Sequence, residues 1–189
     1  DPNAESIRTL KPDIVIDAIL AKRNLGTHLD MAPTVIALGP GFTAGVDAHA
    51  VIETNRGHDL GRVLLSGKAE PDTGTPGIIA GYGAERVVRA PTAGTLKALC
   101  QIGDVVSQGQ PILALENESG EIQVPSPLEG VLRGLIHPGL NVSRGMKIAD
   151  VDPRGNPEYC FSVSDKARAI GGGVLEAILY LSRKNKHNK

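Results

Sequence analysis

The densest cluster of polar side chains in the sequence lies between residues 47 and 58 and holds two histidines and two carboxylates, Asp47 and Glu53. His49 and Glu53 share a face whether this segment is a strand or, at i, i+4 spacing, a helix. Imidazole titrates near neutral pH, so the pair is a candidate for acid–base catalysis. With His58 it has the composition of a two-histidine, one-carboxylate metal site, but structural hydrogen bonding is the simpler interpretation. We therefore predict no metal ligand here.

A glycine-rich loop that follows the apolar run 34–38 is the second candidate site. Glycines at such a position let backbone N–H groups turn toward an anion, and open α/β sheets bind ligands at the carboxyl ends of their strands. A plain tight loop is the alternative, because the spacing fits neither a Walker nor a dinucleotide-binding motif. A basic turn at the end of a neighbouring strand could face the same crevice and bind phosphate or carboxylate. The predicted ligand-binding residues here and beside the histidines are Lys22, Arg23, Asn24, Gly39, Gly41, Thr43, Gly45, Asn55, Arg56 and His58.

A cysteine close to a predicted helix start is the third candidate. Cys160 shortly precedes Ser164, which can cap that helix. A helix N-terminus can lower the pKa of a thiol, so that Cys160 would act as a nucleophile or sulfur carrier. A buried, inert thiol is the alternative, and Cys100 is predicted to be a core residue of a strand.

Two cations lie at the start of the same helix. Lys166 and Arg168 could bind an anion together with the glycine triplet 171–173, or they could belong to a cap and a close helix packing. The triplet is predicted to interrupt the helix, which resumes with helical periodicity at Val174.

Composition limits the classes of protein that could use these residues. The chain has 189 residues, 41% of them hydrophobic, and a formal net charge of −1, which does not indicate a nucleic-acid partner. No apolar run is long enough to cross a bilayer, so no membrane partner is predicted. Two cysteines favour reduced thiols in a cytoplasmic protein. The chain begins with Asp rather than Met, and we expect an N-terminal element to precede it.

The first 88 residues must position the first two candidate sites. A short helix is predicted before residue 11, followed by apolar runs at 13–20 and 34–38. Near-continuous apolar strands with helical connections suit a sheet that is covered on both faces. The region is interpreted as the later part of an α/β unit.

An internal repeat organises the next region. Residues 90–114 align without a gap on residues 126–150, and nine of the 25 positions are identical. Each copy predicts two short strands with two glycine turns, and we expect a positive φ at most of those glycines. The two copies would close on each other as a pseudo-twofold sandwich with one shared core. The glycines are Gly103, Gly109, Gly139 and Gly145, and the core positions are Leu96, Leu99, Val106, Ile112, Leu132, Leu135, Val142 and Ile148.

This repeat resembles the biotinyl/lipoyl carrier domains, whose fold is a barrel-sandwich hybrid. Carrier domains place their modified lysine on the hairpin between the two halves, and the matching hairpin here is residues 116–120. Ser119 takes the lysine position, and residues 110–132 contain no lysine. The resemblance therefore implies the fold, while we predict that neither biotin nor lipoate is attached.

The wider chain resembles the selenium-dependent molybdenum hydroxylase system proteins, which are bacterial accessory proteins. The segments that carry this resemblance are 18–24, 39–45, 51–58, 133–136 and 164–177. The resemblance implies an accessory or maturation role, a molybdenum hydroxylase subunit as a partner, and a dinucleotide-fold segment ahead of this chain. It supplies no reaction.

The predicted fold class is α+β. Residues 1–88 form a partial α/β region, a Rossmann-like remnant; residues 89–151 form the all-β barrel-sandwich hybrid; residues 152–189 form a C-terminal helical segment. The leading hypothesis is a binding module for hydroxylase maturation with a phosphate-bearing ligand. An enzyme that acts on a cofactor or a selenium or sulfur donor through Cys160 or His49 and Glu53 is the alternative, and a purely structural docking domain is a third. Homo-oligomerisation stays open.

Overall fold

The apolar runs near the N-terminus form a sheet in the computed structural model, which describes residue 1 and residues 3–187, with side chains up to residue 183. The chain divides into two units. The first comprises Asp1–Thr73 and the C-terminal segment from Ser164; the second is Gly74–Val163. The predicted boundaries at 88/89 and 151/152 differ from these: Val87 and Val88 pair with Asp150 and Ala149 in the second unit, and the C-terminal helix packs on the sheet of the first unit.

The elements of the first unit are α1 (Glu5–Leu10), β1 (Ile14–Asp17), a 3-10 turn (Leu29–Met31), β2 (Thr34–Leu38), β3 (Thr43–Ala44), β4 (Ala50–Ile52), β5 (Val63–Leu64), β6 (Gly67–Lys68) and α2 (Asp165–His187). The main sheet has the order β1-β2-β4-β5, in which the first three strands are parallel and β5 is antiparallel. β3 and β6 form a separate antiparallel pair.

The central strands β2 and β4 are buried on both faces, as the continuous apolar runs predicted, whereas the edge strand β1 is partly exposed. One face packs against α2, where Ile36 and Ile52 contact Ala177. The other face is covered by loops, with Val35 and Val51 packed against Phe42. The expected helical connections are wrong for the described residues, because the β1–β2 connection contains only a 3-10 turn and the β2–β4 connection contains β3. The dinucleotide-fold origin of this region stays a prediction.

The C-terminal helix is continuous, so the prediction that its glycines interrupt it is wrong. The Ser164 hydroxyl accepts the N–H of Ala167 at 3.2 Å and caps α2 as expected. Gly173 is buried against Gly61, while Gly171 and Gly172 have open space where a Cβ would lie. The last of the three glycines thus lets the helix approach the loop before β5.

The second unit contains two four-stranded antiparallel sheets. Its elements are a 3-10 turn (Ala84–Arg86), β7 (Val87–Arg89), β8 (Gly94–Ala98), β9 (Val105–Val106), β10 (Pro111–Asn117), β11 (Gly120–Pro125), β12 (Gly130–Leu135), β13 (Asn141–Val142), β14 (Lys147–Asp152) and a second 3-10 turn (Pro157–Cys160). The sheet orders are β11-β10-β8-β13 and β7-β14-β12-β9.

The two repeat copies exchange strands. β9 of the first copy pairs with β12 of the second, with Gly130 opposite Val106. β13 of the second copy pairs with β8 of the first, with Gly94 opposite Val142. The two contacts involve equivalent residues of the repeat, so the predicted pseudo-twofold relation is confirmed at the level of strand register.

One shared core joins the copies, and six of the eight predicted core positions are buried in it. Leu135 is partly buried at its edge, as is Cys100. Leu99 is 49% exposed, so its assignment to the core is wrong. The N–H groups of Leu99 and Cys100 both donate to the carbonyl of Ile112, at 3.0 Å each, and this irregularity breaks the alternation of the strand.

The four turn glycines have positive φ, as the repeat predicted. The values are 102° at Gly103, 81° at Gly109, 87° at Gly139 and 82° at Gly145. Each occupies a backbone region that L side chains rarely adopt.

Candidate functional site

The carboxyl ends of the three parallel strands bring the glycine-rich loop and the basic turn together. The N–H of Gly39 donates to the carbonyl of Ile52 at 2.8 Å, which places the loop beside the end of β4. Gly41 packs on the backbone of Arg23, and a Cβ at Gly41 would lie 2.5 Å from the Arg23 Cα. Since Gly41 has a φ of 103°, both its conformation and the close approach require glycine.

Several predicted ligand residues stabilise this loop instead of facing a free crevice. The Asn24 side chain donates to the carbonyl of Thr27 at 2.8 Å and to Asp47 at 3.3 Å. The other oxygen of Asp47 accepts the N–H of Thr43 at 2.7 Å, and the N–H of Gly45 donates to Ala48 at 2.7 Å. These contacts fix the loop geometry.

His49 and Glu53 lie at opposite ends of β4, and their side chains make hydrogen bonds to different parts of the backbone. Because the chain between them is extended, four residues of strand place their Cα atoms about 13 Å apart. His49 Nδ1 accepts the N–H of Val35 at 3.0 Å, which places its ring proton on Nε2. Glu53 is 4% exposed and accepts the N–H groups of Asn55 at 2.7 Å and Glu70 at 2.8 Å. Each side chain thus stabilises backbone, and the structure does not bring the two together as an acid–base pair.

The structure does not assemble a metal site from these histidines either. His58 is exposed. Within the described residues, no group of three histidine, cysteine or acidic side chains could hold a metal ion.

A cluster of cations surrounds the start of α2. Lys22 pairs with Asp72 at 2.8 Å, and Arg56 makes a bidentate pair with Asp165 at 2.7 and 2.9 Å. Lys166 is half-buried. Burial lowers the pKa of Lys166 below its usual value, Arg56 and Lys22 lower it further, and Glu53 opposes them.

Lys166 differs from its neighbours in having no counter-ion. Across the residues that the structure describes, its ammonium group makes no ion pair or hydrogen bond, whereas Lys22 and Arg56 each have a carboxylate. The sequence named Lys166 as a ligand residue but gave no sign of this difference. The pairing of Lys22 with Asp72 and of Arg56 with Asp165 was not predicted, because it depends on contacts between distant segments. Arg23 and Arg168 have exposed side chains.

Cys160 is not at the start of α2, and the prediction of a lowered pKa is wrong. It ends the 3-10 turn Pro157–Cys160, and its thiol lies 3.8 Å from the carbonyl oxygen of Leu132. Burial raises the pKa of Cys160, Asp152 adds to the rise, and Arg133 opposes it. The thiol therefore has less thiolate at neutral pH than an exposed cysteine.

Ser119 lies on an exposed two-residue hairpin between β10 and β11, as expected for the lysine position of a carrier domain. Its N–H donates to the side chain of Asn117 at 2.9 Å, and Asn117 donates to the carbonyl of Ala93 at 3.0 Å. An open groove of about 360 Å³ lies beside this hairpin. The groove was not predicted; its lining residues are Ala93, Gly94, Thr95, Glu116, Asn117, Glu118, Asn141 and Val142.

Comparison with known families identifies the second unit. Residues 86–151 match the Biotin_lipoyl family model, described as biotin-requiring enzyme. Together with the two interlocked sheets and the exposed hairpin, this match shows that residues 86–151 form a domain of the biotinyl/lipoyl type.

A curated relative matches nearly the whole chain. The uncharacterized protein YqeB of Escherichia coli (strain K12) is 56% identical over 181 residues, which cover 96% of this chain and 33% of that protein. The chain thus spans about a third of the length of the curated relative that it matches.

Two solved structures that resemble the chain each cover less than half of it. A succinylglutamate desuccinylase/aspartoacylase from Rhodobacter sphaeroides is 22% identical over 36% of this chain and 22% of its own, with a TM-score of 0.33. The apo ectoine utilization protein EutE (DoeB) from Ruegeria pomeroyi is 15% identical over 46% of this chain and 28% of its own, with a TM-score of 0.34. Scores this low carry no argument about function.

Neither α-helix in the described part of the chain is long and apolar enough to cross a bilayer.

Proposed function

We propose that this chain is a ligand-binding accessory module that takes an anionic small molecule at the carboxyl edge of its parallel sheet. The observation that carries the proposal is Lys166, a half-buried cation that has no counter-ion among the described residues and lies in the field of Arg56 and Lys22. A half-buried ammonium group without a partner is costly, and an anion would supply the missing charge. Phosphate and carboxylate groups both have the required chemistry.

The surroundings of Lys166 support this site. It lies in the first turn of α2, where the helix dipole favours a negative charge. The buried carboxylate of Glu53 holds the N–H of Asn55, one residue before Arg56, and so helps to fix the turn that carries this guanidinium.

The biological setting is also a proposal. The sequence resemblance supports a role in the selenium-dependent molybdenum hydroxylase system, with a hydroxylase subunit as the partner. The biotinyl/lipoyl-type domain would then serve for recognition rather than for carrying a prosthetic group, since Ser119 occupies the lysine position.

The enzymatic alternative has lost its support from the site geometry. Cys160 has a raised pKa, and His49 and Glu53 are each engaged with backbone N–H groups. The docking alternative is favoured by the apolar side chains near the Gly103 turn, where Phe161 is 74% exposed and Val105 is 64% exposed. A docking domain would not need Lys22, Arg56 or Lys166 to bind an anion, so titration with an anion distinguishes docking from ligand binding.

Amide NMR of the 189-residue chain tests the proposed site directly. Inorganic phosphate, titrated against chloride at matched ionic strength, is expected to give saturable shifts at Arg56 and Lys166. The Lys166→Gln variant should lose them, whereas Lys68→Gln, at an exposed lysine of β6, should keep them. Shifts that do not saturate, or that persist in Lys166→Gln, would overturn the proposal.

A further inference from the structure

The two copies of the repeat carry equivalent salt bridges. When the alignment of the copies is continued past residue 114, Lys97 and Glu116 of the first copy correspond to Arg133 and Asp152 of the second. Lys97 Nζ lies 2.9 Å from a carboxylate oxygen of Glu116, and Arg133 Nη1 lies 2.7 Å from Asp152 Oδ2. The pseudo-twofold relation therefore extends from the backbone to a pair of charged side chains.

A third charged group joins each pair, and its sign differs between the copies. In the first copy Glu121 binds Lys97 at 3.0 Å, so that one cation lies between two carboxylates. In the second copy Arg154 donates to both oxygens of Asp152, at 2.9 Å from Nε and 2.6 Å from Nη2. One carboxylate thus lies between the guanidinium groups of Arg133 and Arg154.

The pair of the second copy is also far more buried than that of the first. The side chain of Asp152 is 2% exposed and that of Arg133 is 25% exposed, against 48% for Lys97 and 55% for Glu116. Burial removes water that would otherwise solvate a guanidinium group. The donors of Arg133 therefore need a partner more than those of a surface lysine do.

Arg133 has donors left over after it binds Asp152. Its Nη1 makes the one hydrogen bond of this guanidinium within the described residues, to an oxygen that also accepts from Nη2 of Arg154. In the same part of the chain, Nε of Arg86 is the one buried side-chain nitrogen or oxygen that lacks a partner. The Nε–H and Nη2–H groups of Arg133 are therefore open to solvent, and a ligand can reach them.

A β-bulge aims the side chain of Arg133. In β12, Leu132 lies opposite Val151 and Gly134 lies opposite Asp150, which leaves Arg133 without an opposite residue. The equivalent strand of the first copy, β8, pairs with β10 without such a shift. Bulges redirect single side chains and are frequent beside functional sites, so the bulge distinguishes the second copy in geometry as well as in charge.

We propose that Arg133 binds a small-molecule oxyanion, a carboxylate or phosphate group, through its Nε–H and Nη2–H groups. Two N–H groups on one edge of a guanidinium are parallel and match two oxygens of such a group. Arg154 adds positive charge beside the ligand and is itself held in place, since its guanidinium lies 4.6 Å from the centroid of the Tyr159 ring. This site uses none of the residues of the anion site proposed for the first unit.

Side-chain NMR of the 189-residue chain tests the inference. Inorganic phosphate and acetate, each titrated against chloride at matched ionic strength, should give saturable shifts of the Nε–H signal of Arg133. The amide of Lys97, at the equivalent position of the first copy, should not shift. Shifts that do not saturate, or that are equal at the two positions, would overturn the inference. This measurement uses the wild-type protein, so it holds even where a variant fails to fold.

Matched variants identify the group that binds. Arg133→Gln should weaken phosphate binding, measured at the amide of Arg154, by about tenfold or more, because charged hydrogen bonds are lost. Lys97→Gln, the same change in the first copy, should leave the affinity unchanged. Lys166→Gln should also leave the shifts at Arg133 intact, so the failure of this site and of the first unit's site are distinguishable. Shifts that persist in Arg133→Gln, or that vanish in Lys166→Gln, would overturn the inference.

Discussion

Gly173 of α2 faces the carbonyl oxygen of Gly61 so closely that a Cβ at position 173 would overlap it. The approach is reciprocal, since a Cβ at Gly61 would lie 2.5 Å from the carbonyl oxygen of Ala169. The helix and the loop before β5 are therefore in backbone contact.

Replacement of Gly173 by alanine should destabilise the first unit by about 1–3 kcal/mol, because the new methyl group forces the helix away from the loop. Gly172→Ala is the matched control, since open space surrounds position 172 and alanine favours a helix by about 1 kcal/mol over glycine. Urea unfolding followed by circular dichroism measures both. Equal effects of the two substitutions would show that the close contact does not exist.

Leu96→Ala and Leu132→Ala should each cost about 2–5 kcal/mol, since both side chains are fully buried in the core that the two repeat copies share. Leu99→Ala, at an exposed position three residues beyond Leu96, should change stability by about 0.5 kcal/mol or less. Thermal unfolding should show one transition for the second unit. Separate transitions for the two copies would contradict the exchanged strands.

Asp152 should make the second unit sensitive to acid. It is 2% exposed, and hydrogen bonds from Arg154, together with Arg133, lower its pKa from 3.8 to about 2. Because the pKa of this carboxyl is lower in the folded protein than in the unfolded chain, the ionised group stabilises the fold at pH values above about 4. That stabilisation, about 2 kcal/mol, is lost as the pH falls from about 4 through 2. Urea unfolding at pH 6 and pH 3 should show a larger difference for wild type than for Asp152→Asn. The same difference in both would exclude this carboxylate as the cause.

Cys160 should react slowly with iodoacetamide. Burial raises its pKa, so less thiolate is present near neutral pH than in an exposed thiol. In the Cys100→Ser variant, where Cys160 is the sole thiol, alkylation at pH 7.5 should be several-fold slower in the folded protein than in guanidinium chloride. A faster reaction in the folded state would restore the case for a nucleophilic role.

The protein should carry neither biotin nor lipoate, because Ser119 occupies the hairpin position at which a carrier domain has its lysine. The intact mass of protein purified from cells that make both groups should equal the mass of the unmodified chain. A mass increase matching either group, at any residue, would contradict the prediction.

The internal repeat allowed most of the fold of the second unit to be predicted from the sequence. Because the two copies align without a gap, one set of glycines and apolar positions predicted the turns, the shared core and the partner of each half. The prediction that Leu99 is a core residue was wrong, because a local irregularity of the backbone, which the repeat does not indicate, turns this side chain outward.

The candidate site was only partly predictable. Proximity of the glycine loop to the basic turn follows from the rule that parallel strands end at one edge. The distance between His49 and Glu53 depends on the length of β4. The alternation of side chains predicts only that the two residues share a face of the strand, not how far apart they lie. Lys166 has no counter-ion in the described residues, whereas Lys22 pairs with Asp72 and Arg56 pairs with Asp165. These pairings join segments that are distant in the sequence, so no local sequence pattern predicts them.

The helix that covers one face of the first unit's sheet follows the whole second unit in the sequence. During translation, about 90 residues of the second unit leave the ribosome between Thr73 and Ser164. At roughly 5–20 residues per second, the face that includes Ile36 and Ile52 waits roughly 5–20 s for α2. A nascent chain of this protein therefore exposes an uncovered apolar surface for seconds, which makes the first unit the part that a ribosome-associated chaperone would have reason to bind.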